Sequence, residues 1–141
     1  MKPILSLIPA GLMMACVATP QPLRAQACQD EEGMVTEYKK GLVELADLAR
    51  KESVPEFEKA YHQKAGVTRL TMTSSMVDGL FDCLDKAAQD PAAKDQADAL
   101  KAKHDSYSKL KDQLTADRKS LKAADSAKSA KAVMEKFQYA N

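Results

Sequence analysis

Between residues 75 and 88 the apolar side chains Met76, Val77, Leu80, Phe81, Cys83, Leu84, Ala87 and Ala88 cover about half of a helix circumference at ~100° per residue. A helix packed on a single partner needs only a narrow stripe, so this segment predicts a helix held between two others. Its seam, Leu70, Thr73, Val77, Leu80, Leu84 and Ala87, projects backwards onto Gly66, Gln63, Lys59 and Glu56. The apolar residues found there, Phe57, Ala60 and Tyr61, are shifted by one position. That slip predicts a kink or short break near Gly66, within a run that also holds Thr68, Thr71, Thr73, Ser74 and Ser75.

The flanking segments have narrower stripes. Val35, Tyr38, Leu42, Leu45 and Ala49 alternate at spacings of three and four, which predicts a first helix over about 31–52 with Asp30 as its N-cap. Ser53 and Pro55 punctuate the chain, and a second helix runs from near Val54 to Asp90, ahead of Pro91. Leu100, Tyr107, Leu114 and Leu121 then recur every seventh residue, with His104, Lys111, Arg118 and Asp125 at the companion positions. That seam is narrow and half-wetted, enough for one hairpin partner. Val133, Met134 and Phe137 resume an apolar stripe in a new phase after an Ala/Ser/Lys-rich stretch, which predicts a short extra C-terminal helix. The expected fold is all-α: an elongated antiparallel three-helix bundle, up-down-up, about 50 Å long, with that short helix appended. Gly41 and Gly66 should lie level across the first two helices, in close backbone approach.

The N-terminal segment changes the picture. Lys2 precedes an apolar run from Ile4 to Ala18, followed by a polar stretch and Ala25-Gln26-Ala27. This is the grammar of a secretory signal peptide over residues 1–27, leaving 28–141 as a single helical-bundle domain in the periplasm or secreted. Leu12-Met13-Met14-Ala15-Cys16 also resembles a lipoprotein box, so the alternative is a protein anchored in the membrane by a lipid on Cys16. No later stretch is apolar enough for a transmembrane span. Cys28 and Cys83 remain as a pair suited to a disulfide bond in an oxidising compartment. In an antiparallel pair of helices, Cys28 falls about one turn, or ~6 Å, from the level of Cys83.

Charge and candidate chemistry narrow the function without defining it. Residues 28–90 carry 13 Asp/Glu against 8 Lys/Arg, a net of −5, while residues 91–141 carry 7 against 11, a net of +4. A basic half can bind acidic partners, or can complement the acidic half of its own bundle. Lys101, Lys103, Lys109, Lys111, Arg118, Lys119 and Lys122 are spread around one helix without interleaved aromatics, which argues against nucleic acid. Asp78, Asp82 and Asp85 form an acidic ladder read as a solvated face, and His62 is expected to be exposed. His104 is expected level with Met76 and near Met72, a His/Met set able to ligate copper(I) or haem iron if the ligands converged on a dry site. The sequence has no Gly-rich phosphate loop, His-Glu-x-x-His or Gly-x-Ser-x-Gly motif. The expectation is a non-enzymatic protein without cofactor that binds a protein partner, or associates with itself, in the cell envelope. The alternative is a metal- or haem-binding bundle using His104, Met76 and Met72.

Overall fold

The computed structural model describes residues 28–54 and 59–139. The expected signal peptide, Cys16, the Pro55 turn and Phe57 lie outside the described residues. Those residues contain four α-helices and no strand: α1 (Gln29–Lys51), α2 (Lys59–Ala88), α3 (Ala97–Lys122) and α4 (Ala127–Met134). A six-residue 3-10 helix, Pro91–Gln96, leads into α3. None of these helices is long and apolar enough to cross a membrane.

The helices form where the stripes place them, with differences at their ends. α1 begins at Gln29 with Cys28 as N-cap, and no side chain caps it. Asp30 instead lies inside the first turn with Glu31 and Glu32, where carboxylates suit the positive end of the helix dipole. Burial of Cys28 against the core lets the helix extend back beyond the expected cap. Asp90 accepts a hydrogen bond from the Ala92 amide at 2.9 Å and starts the 3-10 helix with Pro91 at its head. α4 opens with a reciprocal Ser126–Ser129 capping box.

α2 is the central element. It packs on both α1 and α3, whereas no α1 Cα comes within 8 Å of an α3 Cα. Its directions relative to both neighbours are antiparallel. The start of α1 is joined to the end of α2 through Cys28 and Cys83, whose Cα atoms are 5.9 Å apart. The start of α3 meets the end of α2 through His104 and Phe81, and its end meets the start of α2 where Leu121 closes on Gly66. Long side chains span the remaining gap between α1 and α3: Lys103 Nζ pairs with Glu32 Oε2 at 2.9 Å, and the Tyr107 hydroxyl donates to Glu32 Oε1 at 3.4 Å. α4 packs against all three longer helices.

The core follows the seams. Val35, Leu42, Ala46 and Ala49 of α1, Leu70, Thr73, Val77, Leu80 and Leu84 of α2, and Leu100, Leu114 and Leu121 of α3 are buried. Thr73, the polar member, returns its hydroxyl proton to the Arg69 carbonyl at 2.8 Å. Beyond α4, Phe137 and Tyr139 are buried too. Arg50 holds this tail by donating to the carbonyls of Glu135 (2.8 Å) and Phe137 (3.4 Å), and the Tyr139 hydroxyl donates to Asp117.

Three expectations fail here. α2 is continuous through Gly66; there is no break. Lys59, Gln63 and Gly66 stay on the inward line because they meet the end of α3. Gln63 Nε2 donates to the Leu121 carbonyl at 2.7 Å, and Lys59 Nζ to the Asp125 carbonyl at 2.7 Å. The Leu121 carbonyl, in the last turn of α3, also accepts from the Ala124 amide at 3.3 Å, and Asp125 lies in the link to α4. The nearby hydroxyls of Thr71 and Ser75 bond back to carbonyls four residues earlier, so they are accommodated within the helix. Gly41 and Gly66 do not face one another: a Cβ on Gly41 would meet the Arg69 guanidinium at 2.7 Å, and one on Gly66 would meet Leu121 Cδ2 at 2.5 Å. His62 is buried, not exposed, with Nε2 3.0 Å from Glu52 Oε2. Periodicity placed it off the apolar stripe, but the end of α1 covers it.

Candidate functional site

The His/Met set is not assembled. His104 stacks on Phe81, with ring centroids 4.5 Å apart, and its Nε2 lies 4.0 Å from Asp85. It is therefore opposite residues 81–85 rather than Met76, because the 3-10 helix lengthens the connection and moves α3 along α2. The His104 side chain is 40% exposed and borders a cleft of about 260 Å³ with Leu84, Leu100 and Lys101. Met72 borders a different cleft, between α1 and α2. Phe81 and Met72 are nine residues apart, half a turn around α2 at ~100° per residue, so the two clefts lie on opposite sides of that helix. Met76 packs against the core. Soft ligands converging on one dry position, which copper(I) or haem requires, are not present in this arrangement. No three His, Cys, Asp or Glu side chains among the described residues are grouped to hold a metal ion.

Part of the charge asymmetry is consumed between helices. Lys111 of α3 pairs with Asp78 of α2 and lies 5.6 Å from the centroid of the Phe81 ring, while Lys103 pairs with Glu32 of α1. The acidic ladder is exposed, yet Asp78 and Asp85 both reach toward α3. The rest of α3 keeps its positive charge. Arg118, Lys119 and Lys122 surround a shallow cleft of about 470 Å³ floored by Thr115 and Ala123. Among the described residues no carboxylate lies within 4 Å of these three cations.

A second cationic feature is absent from the sequence reading. The outer α1–α2 cleft, about 550 Å³, is lined by Leu45, Lys64, Ala65, Thr68, Arg69 and Met72. Arg69 is half-buried; its Cζ lies 5.9 Å from the Tyr38 ring centroid, and its guanidinium occupies the space that a side chain on Gly41 would fill. The available signal was positional. Tyr38, Gly41 and Leu45 are spaced three and four apart on α1, as Ala65, Arg69 and Met72 are on α2. A cation between apolar positions of one such stripe marks it. Two tyrosines have perturbed hydroxyls. Burial, reinforced by Asp117, pushes Tyr139 above its ordinary range, and burial with the Glu32 carboxylate nearby raises Tyr107.

No family model, curated protein or solved structure matches the chain.

Proposed function

We propose that the protein is an exported, non-catalytic helical protein that acts by binding another macromolecule, an acidic protein partner or an acidic face of a second copy, in the cell envelope. The observation supporting this reading is the basic face of α3, where Arg118, Lys119 and Lys122 have no carboxylate within 4 Å among the described residues after Lys103 and Lys111 have paired within the chain. Interface rims of one charge sign steer oppositely charged partners. In this reading residues 28–141 are an up-down-up bundle, α4 is its short extra helix, and residues 1–27 direct export. Export leaves the protein periplasmic or secreted, or anchored by a lipid at Cys16.

Light scattering of the purified protein, combined with photo-crosslinking from position 115 in the envelope fraction, tests the reading. A discrete adduct or a defined oligomer is expected, lost in the double variant Arg118→Glu/Lys122→Glu and weakened by salt. A strict monomer that yields no adduct rejects it.

A further inference from the structure

The half-buried Arg69 is seated against a glycine and a tyrosine ring of α1. A glycine within a helix costs roughly 1 kcal/mol relative to alanine, and Gly41 sits in the middle of α1 with its missing Cβ replaced by the Arg69 guanidinium. The Tyr38 ring lies against the same group, a favourable cation–π arrangement. No carboxylate among the described residues lies within 4 Å of Arg69 or of Lys64, the second cation of the cleft. Taking a guanidinium partly out of water without a counter-charge is unfavourable. Among the described residues it is held by a glycine seat and a ring and by no ion pair, which leaves its donors open to an external anion. The cleft is apolar on either side of it, at Leu45 and Ala65 toward one end and at Met72, 41% exposed, toward the other. The volume of about 550 Å³ falls in the range of small-ligand clefts.

We propose that the outer α1–α2 cleft binds a single-chain anionic amphiphile, a long-chain carboxylate whose head pairs with Arg69 and whose tail runs from there over Met72, with Leu45 and Ala65 bordering the head. The guanidinium suits this role because its planar fork can donate two parallel hydrogen bonds to a carboxylate. The site lies on α1 and α2, away from the basic face of α3, and stands or falls independently of the partner binding proposed there.

The test is calorimetric titration of the purified protein with sodium dodecanoate below its micelle threshold, with the Met72 methyl signal followed by NMR. Stoichiometric binding is expected, weakened at least tenfold in Arg69→Gln, since a charge-assisted contact of this kind is worth about that factor. Gly41→Ala, which favours α1 while pushing the guanidinium off its seat, should also weaken binding. Lys94→Gln, a surface change in the 3-10 helix, should not. Dodecyltrimethylammonium, with the same tail and the opposite charge, should fail to bind. Equal binding of the two amphiphiles overturns the proposal, as does an affinity unchanged in both Arg69→Gln and Gly41→Ala. A tail-less oligoglutamate peptide competing as well as dodecanoate also overturns it, because the apolar wall would then contribute nothing.

Discussion

Two glycines of the same helix provide a sharp test of how α3 and α4 seat on α2. Gly79 is exposed, and a Cβ built there meets nothing within 4 Å. Gly79→Ala should therefore gain the ordinary helix-propensity difference, about 1 kcal/mol. Gly66 is buried, and a Cβ there lies 2.5 Å from Leu121 Cδ2, with Met134 Sδ at 3.6 Å and Met134 Cε at 3.8 Å. Carbon atoms in contact prefer roughly 3.5–4.0 Å, so Leu121 must retreat by about 1 Å. Both Leu121 and Met134 are fully buried, which leaves them no solvent side to move toward. Overpacking of this kind costs about 1–3 kcal/mol. Setting ~2 kcal/mol of strain against the same ~1 kcal/mol of propensity, Gly66→Ala should be destabilised by about 1 kcal/mol, some 2 kcal/mol below Gly79→Ala. Urea unfolding with the disulfide intact reads the difference as a shift in midpoint at constant slope. If the two alanine variants are equally stabilised, Leu121 and Met134 do not close on Gly66, and the docking of α3 and α4 described above is wrong.

Other consequences can be measured on the same protein. Replacing both Cys28 and Cys83 by serine opens a link across a sequence separation of 55 residues and should lower unfolding stability by about 4 kcal/mol in the chain-entropy account; a loss under 1 kcal/mol in urea melts would argue against the link. Gln63→Ala removes the donor held 2.7 Å from the Leu121 carbonyl and should cost about 1 kcal/mol, with faster amide exchange in the last turn of α3 as the local signature. The raised Tyr139 hydroxyl means that the folded state holds its proton more tightly than the unfolded chain, whose tyrosine ionises near about pH 10. Its stabilising contribution is thus intact below that pH and is lost as pH rises above it. Unfolding stability measured above about pH 10 should fall less steeply in Tyr139→Phe than in the parent. An unchanged slope would remove Tyr139 from the alkaline transition.

The seams of α1, α2 and α3 were legible in the chain because a helix repeats its buried side every three or four residues, and burial demands apolar side chains there. Val35, Leu42 and Ala49, then Leu70 to Leu84, then Leu100, Leu114 and Leu121 record that demand directly. The same reasoning placed the broad apolar arc of α2 between two neighbours. The stripe also indicated a further apolar segment at Val133 and Met134.

What escaped it depends on partners that only the tertiary structure supplies. Lys59, Gln63 and Gly66 interrupt the apolar seam and read as a slip. They face inward because Gln63 donates to the Leu121 carbonyl and Lys59 to the Asp125 carbonyl just beyond α3, and Leu121 needs room, at that level. His62 lies off the stripe yet is buried, since the end of α1 closes over it. His104 moved from the level of Met76 to that of Phe81 and Asp85 because the 3-10 helix of residues 91–96 lengthens the connection. Arg69 is a surface cation by pattern, and becomes a candidate ligand group only when Gly41 and Tyr38 of another helix are brought against it. Periodicity reports which side of a helix is dry. Which residues stand opposite is decided by how far each helix slides along its neighbour, and no repeat within one helix encodes that distance.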